Sequence, residues 1–237
     1  MNQVQTRVFV DDDALVRALA DAIGVEADAA IAARGAFHLV LAGGSTPRAL
    51  YEEMARRGMG DACWHVWYGD ERCLAADDPG RNSVMAEAAW LAASNIPDAQ
   101  RWPIPAEYGA AEAAAVYADW LAGVGDFDLV LLGMGEDGHT ASLFPGHDWG
   151  TRPDSPDVLA VHDAPKPPPE RVSLSAARLS RCVKLWFVIA GAGKHAALLR
   201  WRQGERLPAG AVHGKQETVA WLNAAAWPAA GRPLVSR

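Results

Sequence analysis

A chain of 237 residues, 50% apolar and 22% charged with a mean hydropathy of −0.05, is long enough to bury a core without disulfides or a structural metal. Its 22 Lys and Arg against 29 Asp and Glu leave a net charge of −7. That excludes a broad nucleic-acid or anionic-membrane surface, though not a local cationic pocket. No run of about 18 uninterrupted apolar residues occurs, and the N-terminal stretch has no basic region followed by an apolar one. Cys63, Cys73 and Cys182 follow no CxxC spacing. The expectation is a cytoplasmic protein in a reducing compartment, with no membrane or nucleic-acid partner, a monomer or small homo-oligomer.

Val4 to Val10 alternates apolar and polar residues and predicts a strand. Asp11 or Asp12 can cap a following helix, in which Leu15, Ala18, Ala22, Val25 and Ala29 recur at helical spacing to about Arg34. Phe37 to Leu41 is an apolar run of buried-strand type, and Pro47 fits the first turn of the next helix. Trp64 to Tyr68 predicts a strand, Asn82 to Leu91 and Glu107 to Leu121 predict helices, and Phe127 to Leu132 is a strand, apolar apart from Asp128. The Pro-, Asp- and Gly-rich stretch from 145 to 169 reads as irregular loop around a short strand, Val158 to Val161. Arg171 to Leu174 and Lys184 to Ala190 are further strands; a helix follows to about Trp201. A last helix is predicted near Thr218 to Ala226, before a Pro-containing tail. Strands alternating with helices predict one α/β domain over 1–237, a Rossmann-like, mostly parallel sheet flanked by helices with a few additional strands. The ten tryptophans, scattered through these elements, read as core and interface packing.

Ligands of such sheets collect at the carboxyl ends of strands, and the chemically loaded segments all follow predicted strands. Gly43-Gly44-Ser45-Thr46-Pro47 leads into a helix, so two glycines, two hydroxyls and free N–H groups suit a phosphate. It lacks the nucleotide P-loop and dinucleotide patterns. Lys194, after Gly191-Ala192-Gly193, stands against the helix dipole unless it meets a bound anion. Asp70-Glu71-Arg72 offers two carboxylates and a guanidinium; adjacent residues in an extended segment point opposite ways, so one acid at most faces a ligand beside Arg72. The sharpest signal is Gly133-Met134-Gly135-Glu136-Asp137-Gly138-His139-Thr140, a bent loop in which a carboxylate at 137 can fix the tautomer of an imidazole at 139 and make it a general base. His139 and His147 match no zinc spacing, and no metal is expected. Ser142 follows His139 without a nucleophile elbow, which favours water activated by His139 over an activated serine.

LAGGSTPRALYEEM (41–54), WYGDER (67–72), DLVLLGMGEDGHTASLFPGH (128–147), PERVSLSAARL (169–179) and AGAGKHAAL (190–198) together resemble, in order, the motifs of the 6-phosphogluconolactonase family. The resemblance implies the fold shared by glucosamine-6-phosphate deaminases, ribose-5-phosphate isomerases and CoA-transferases. It implies hydrolysis of 6-phospho-D-glucono-1,5-lactone to 6-phospho-D-gluconate in the oxidative pentose phosphate pathway, without metal or organic cofactor. On that resemblance His139 is the base for the attacking water and Asp137 its acidic neighbour. Gly43, Gly44, Ser45, Arg72, Arg171 and Lys194 fall on positions that hold phosphate and sugar oxygens; Asp70 is a further substrate-binding candidate, with the choice between it and Glu71 left open. Asn82 matches the Asn of a D-S-N segment that here reads Gly80-Arg81-Asn82, and Asn223 stands where an acidic residue is expected. Two rivals are a sugar-phosphate isomerase or deaminase on the same fold and a non-catalytic sugar-phosphate sensor. The amino-sugar deaminases carry Tyr in place of Arg72 and a Glu after the histidine, where this chain has Ser142-Leu143-Phe144-Pro145; a sensor is expected to lose the Asp137–His139 pair.

Overall fold

The computed structural model describes residues 2–227 and 235–236. In chain order the elements are β1 (Asn2–Gln3), β2 (Gln5–Phe9), α1 (Asp12–Arg34), β3 (Phe37–Leu41), α2 (Ser45–Arg56), β4 (Trp64–Tyr68), β5 (Asp70–Arg72), α3 (Asn82–Ala89), β6 (Arg101–Trp102) and α4 (Ala110–Leu121). They continue with β7 (Phe127–Leu132), β8 (Val158–Val161), β9 (Arg171–Leu174), α5 (Ala176–Leu179), β10 (Cys182–Ile189), α6 (His195–Arg202), β11 (Glu217–Asn223) and β12 (Val235–Ser236).

Seven strands form one parallel sheet in the order β2-β11-β10-β7-β3-β4-β6. From β3 the chain winds outward through β4 to β6; from β7 it winds the other way through β10 to β11. The reversal falls between the adjacent strands β3 and β7, and a crevice opens beyond their carboxyl ends. A second sheet, β5-β9-β8, is antiparallel and pairs Arg72 with Arg171. β1 and β12 make a separate antiparallel pair.

The local signals mostly act as the sequence implies. Asp11 caps α1, accepting the Ala14 N–H at 2.7 Å, and the helix buries Leu15, Leu19, Ile23 and Ala27. All six residues of β7 are buried, as expected for a central strand covered on both faces. Trp67, Trp90, Trp186, Trp201 and Trp221 are among the largest fully buried side chains, and Trp67 stacks on Trp102 at 4.9 Å. Trp120 is the exception, 37% exposed.

The predicted helix at 218–226 is a correction. Residues 217–223 form β11, inserted between β2 and β10. A strand covered on both faces loses the period-2 alternation that marks strands, and Ala220 with the Ala224–Ala226 run imitates helical composition. Asn223, at the end of β11, uses its Oδ1 to accept the Gly191 N–H at 3.1 Å, so this strand end supports the turn before Lys194. The Pro-containing tail at 228–234 lies outside the described residues.

On the β6 side of the sheet, His38 and His65 face each other in register on β3 and β4, stacked at 4.5 Å and 7°. The Trp67 indole N–H donates to His38 Nδ1 at 3.2 Å. An indole can only donate, so Nδ1 carries a lone pair and His38 is neutral. Burial, then the neighbouring His65, Arg178 and Arg34 push His38 below its ordinary value, against Asp128; burial does the same to His65. The unfolded chain therefore binds more protons below about pH 6.5, the ordinary imidazole value. Stability is full above that pH and falls as pH drops below it. Thermal melts from pH 8 to pH 5 should show Tm declining below about 6.5, with a shallower decline in His38→Gln, whose amide oxygen still accepts from Trp67.

Candidate active site

The crevice at the β3/β7 reversal is a cleft of about 240 Å³. Gly43, Gly44, Ser45, Asp70, Arg72, Asn82, His139, Arg171 and Lys194 all line it, and Asp137 stands directly behind His139. Residues more than 150 positions apart are thus brought to one place by the ends of β3, β4, β7 and β10.

The scaffold fixes these strand ends. The Tyr51 hydroxyl donates to Ala42 O at 2.8 Å and accepts from Ala42 N–H at 3.0 Å, pinning the backbone where β3 enters the Gly43 turn. Tyr117 grips Tyr68, the last residue of β4, in the same way, accepting from its N–H at 3.0 Å and donating to its O at 3.2 Å. Burial pushes both phenols far above their ordinary range, so they stay protonated as the donor requires. Each bond contributes a net stabilisation of about 1 kcal/mol.

Between these anchors the two acids at 70 and 71 part company. Glu71 is fully buried and faces away from the cleft: its carboxylate accepts the N–H groups of Arg72 (2.8 Å), Asn82 (2.7 Å) and Ser83 (2.8 Å), and Arg81 Nε lies 3.6 Å away. It thereby caps α3, whose own N-cap residue supplies no side-chain bond. Asp70 is the acid that lines the cleft. It accepts from the Ser142 hydroxyl at 2.6 Å and from Asn82 Nδ2 at 3.2 Å. Ser142 is 2% exposed and committed to this bond, which leaves it in a bracing position and not that of a nucleophile. Asn82 Nδ2 also donates to Asp70 O at 2.9 Å, and its Oδ1 lies against Gly43, where a Cβ would come within 2.0 Å. Glycine at 43 is therefore what lets α3 and the turn after β3 meet.

The loop after β7 closes on itself through Gly135 N–H to His139 O at 2.8 Å and Thr140 Oγ1 to Gly133 O at 2.8 Å. His139 Nδ1 lies 2.6 Å from Asp137 Oδ1, which also accepts the His139 N–H at 3.2 Å. A carboxylate can only accept, so in the neutral ring Nδ1 carries the proton and Nε2 the lone pair. Burial raises the Asp137 carboxyl, but the charge of His139 and hydrogen bonds from it outweigh burial and hold it below its ordinary value. A Cβ on residue 135 would fall 2.0 Å from His139 Nδ1, so this pair requires glycine there. The ring packs on Phe144 at 4.8 Å. Ala141, just beyond, holds a φ of 46°, the left-handed backbone that non-glycine residues seldom adopt.

Arg171 lines the cleft 5.5 Å above Phe144. Burial, with Arg72 beside it, pulls its guanidinium below the ordinary value, against the opposing charge of Asp70. Arg72 Nη1 donates to Gly80 O at 2.6 Å. Lys166 also lines the cleft and was not singled out by the sequence, because its neighbours Pro167, Pro168 and Pro169 read only as loop. Burial pushes the Cys73 thiol up to about 11 and Cys182 up to about 12, so neither offers a thiolate near neutral pH.

A carboxylate-held imidazole, a helix N-terminus and several cations around the switch crevice of a parallel sheet are the parts of an α/β enzyme's active site. The family model described as glucosamine-6-phosphate isomerases/6-phosphogluconolactonase matches residues 10–221. The 6-phosphogluconolactonase of Mycobacterium tuberculosis is 36% identical over 233 residues, covering 91% of this chain and 93% of the relative. The crystal structure of 6-phosphogluconolactonase from Thermotoga maritima superposes with a TM-score of 0.86 at 26% identity, covering 93% of this chain and all of that one. The chain belongs to the 6-phosphogluconolactonase family. A monomeric glucosamine-6-phosphate deaminase, 20% identical, superposes with a TM-score of 0.79 over 94% of this chain, so the fold is common to both reactions and does not choose between them.

The Gly43–Asn82 contact gives a direct check on this geometry. Gly43→Ala should cost about 1–3 kcal/mol in denaturant unfolding, and adding Asn82→Ala should recover part of that loss, whereas Asn82→Ala alone should not stabilise the protein.

Proposed function

We propose that this chain hydrolyses 6-phospho-D-glucono-1,5-lactone to 6-phospho-D-gluconate in the oxidative pentose phosphate pathway of the cytoplasm, with His139 as general base for the attacking water. The observation that carries this reading is the 2.6 Å bond between Asp137 and His139 Nδ1 in a cleft lined by cations. The relatives of known name support the substrate class.

The phosphate is held by the N-terminal turn of α2, with Gly43, Gly44 and Ser45, and by Lys194. Asp70, already fixed by Ser142 and Asn82, keeps lone pairs for a sugar hydroxyl. Held at its phosphate, the lactone presents C1 to a water beside His139. Nε2 takes a proton from that water as its oxygen bonds to C1, and the carbonyl electron pair moves onto oxygen. Asp137 stabilises the imidazolium that results. Collapse of the tetrahedral intermediate breaks the bond from C1 to the ring oxygen, which receives the proton back from Nε2. The new carboxylic acid then loses its proton to solvent. General-base help of this kind supplies about 10²–10⁴-fold, and a strained ester needs little more.

The test is acid release from freshly generated lactone, measured above the spontaneous rate. Wild type should accelerate it. His139→Ala should lower kcat about 10²–10⁴-fold with a smaller change in KM, and Lys194→Ala should chiefly raise KM. A fully active His139→Ala protein would overturn the base assignment; a wild type that binds the phosphorylated product without accelerating hydrolysis would overturn the reaction in favour of a sensor.

A further inference from the structure

The chain is sparing with lysine, with four against eighteen arginines, and the four divide sharply. Lys184 and Lys215 each meet a carboxylate, Glu26 at 2.5 Å and Asp126 at 2.7 Å. Lys166 and Lys194 line the cleft, and among the described residues neither ammonium has a carboxylate or hydrogen-bond partner. A cation kept without a counter-ion at a ligand cleft is set to meet an anionic ligand.

The two arrive from different sides. Lys194 follows β10. Lys166 lies on the segment leading into β9, which pairs with β5 beyond the end of β4. In the sheet order β10-β7-β3-β4 the His139 loop and the Gly43 turn lie between them. The Lys166 backbone is also held in place. Arg171 Nε donates to Pro168 O at 3.1 Å, and Nη2 donates to Lys166 O at 3.0 Å and Pro167 O at 3.3 Å, while Ala164 N–H to Pro169 O at 3.0 Å closes the turn. The Arg171 guanidinium in turn sits on Phe144, the ring against which His139 packs. One aromatic ring therefore sets both the imidazole and the arginine that carries the Lys166 turn.

We propose that Lys166 contacts the substrate at its carboxyl end, meeting the negative charge that builds on the lactone carbonyl oxygen and then rests on the product carboxylate, with Arg171 as the residue that positions it. This rests on the hydrolytic reading above, in which Lys194 takes the phosphate. On this proposal the two unpaired lysines meet the two anionic ends of one product.

Competitive inhibition separates these ends. 6-Phosphogluconate carries both a phosphate and a carboxylate; sorbitol 6-phosphate keeps the phosphate and has an alcohol at C1. Lys166→Ala should raise Ki for 6-phosphogluconate about tenfold, the worth of a partly exposed charge-assisted hydrogen bond. It should leave Ki for sorbitol 6-phosphate within about twofold and lower kcat about tenfold. Lys194→Ala should weaken both inhibitors alike. Lys166 is exposed, so its variant should melt with wild type, and Lys166→Arg should restore part of the discrimination. Equal weakening of both inhibitors by Lys166→Ala would move Lys166 to the phosphate, and no weakening of either would make it a solvated surface residue; each overturns the proposal. Wild-type lactone hydrolysis, measured alongside, shows whether the underlying reaction stands independently of Lys166.

Discussion

A hydrogen bond of 2.6 Å between Asp137 and His139 Nδ1 is possible only because residue 135 has no side chain. That bond decides which nitrogen of the neutral ring keeps its lone pair, and the proposed hydrolysis depends on that lone pair. Everything around it serves to hold it in place. β7 delivers the loop from the buried middle of the sheet, Thr140 and Gly135 close the loop by hydrogen bonds, and Phe144 supports the ring. An imidazole paired this way on an exposed loop would sample other rotamers; here the surroundings are fixed by the core.

The remaining parts of the site depend on a topological constraint. A parallel sheet sends every strand's carboxyl end to the same edge, and the reversal between β3 and β7 leaves a crevice there. Buried tyrosines clamp the neighbouring strand ends at Ala42 and Tyr68. Glu71 and Asp70 then divide the work at the end of β4. Glu71 ties α3 to the strand, and Asp70 faces the cleft with Ser142 and Asn82 holding its carboxylate. The chain is acidic overall, yet the cleft is lined by Arg72, Arg171, Lys166 and Lys194 against one lining carboxylate, Asp70. Net charge and local potential are independent properties, and only the second governs an anionic ligand.

Much of this is legible in the amino-acid sequence. Fully buried strands write themselves as apolar runs, so β3, β4, β7 and β10 were readable, and the residues that follow them were natural site candidates. What was hidden follows a physical pattern. β11 lacks alternation because both its faces are covered, and Ala220 with the alanine run just after the strand has helical composition. The inward member of Asp70 and Glu71 could not be chosen, because alternation says that neighbours oppose each other without saying which faces in. Lys166 was masked by prolines, and only Arg171's grip on three successive carbonyls turns that loop into part of a site. Asn223 stands where the resemblance leads one to expect an acid, and its amide oxygen accepts from Gly191 ahead of Lys194. Contacts between distant segments are what a linear pattern carries least well.

The most direct test of the account is the tautomer of His139. Nitrogen-15 NMR of the labelled protein reads which ring nitrogen bears the proton in the neutral imidazole. The account predicts a protonated Nδ1 and a bare Nε2, with that preference lost in Asp137→Ala. A neutral ring protonated at Nε2 in the wild-type protein would contradict it, because no lone pair would then remain on that nitrogen to accept a proton from water.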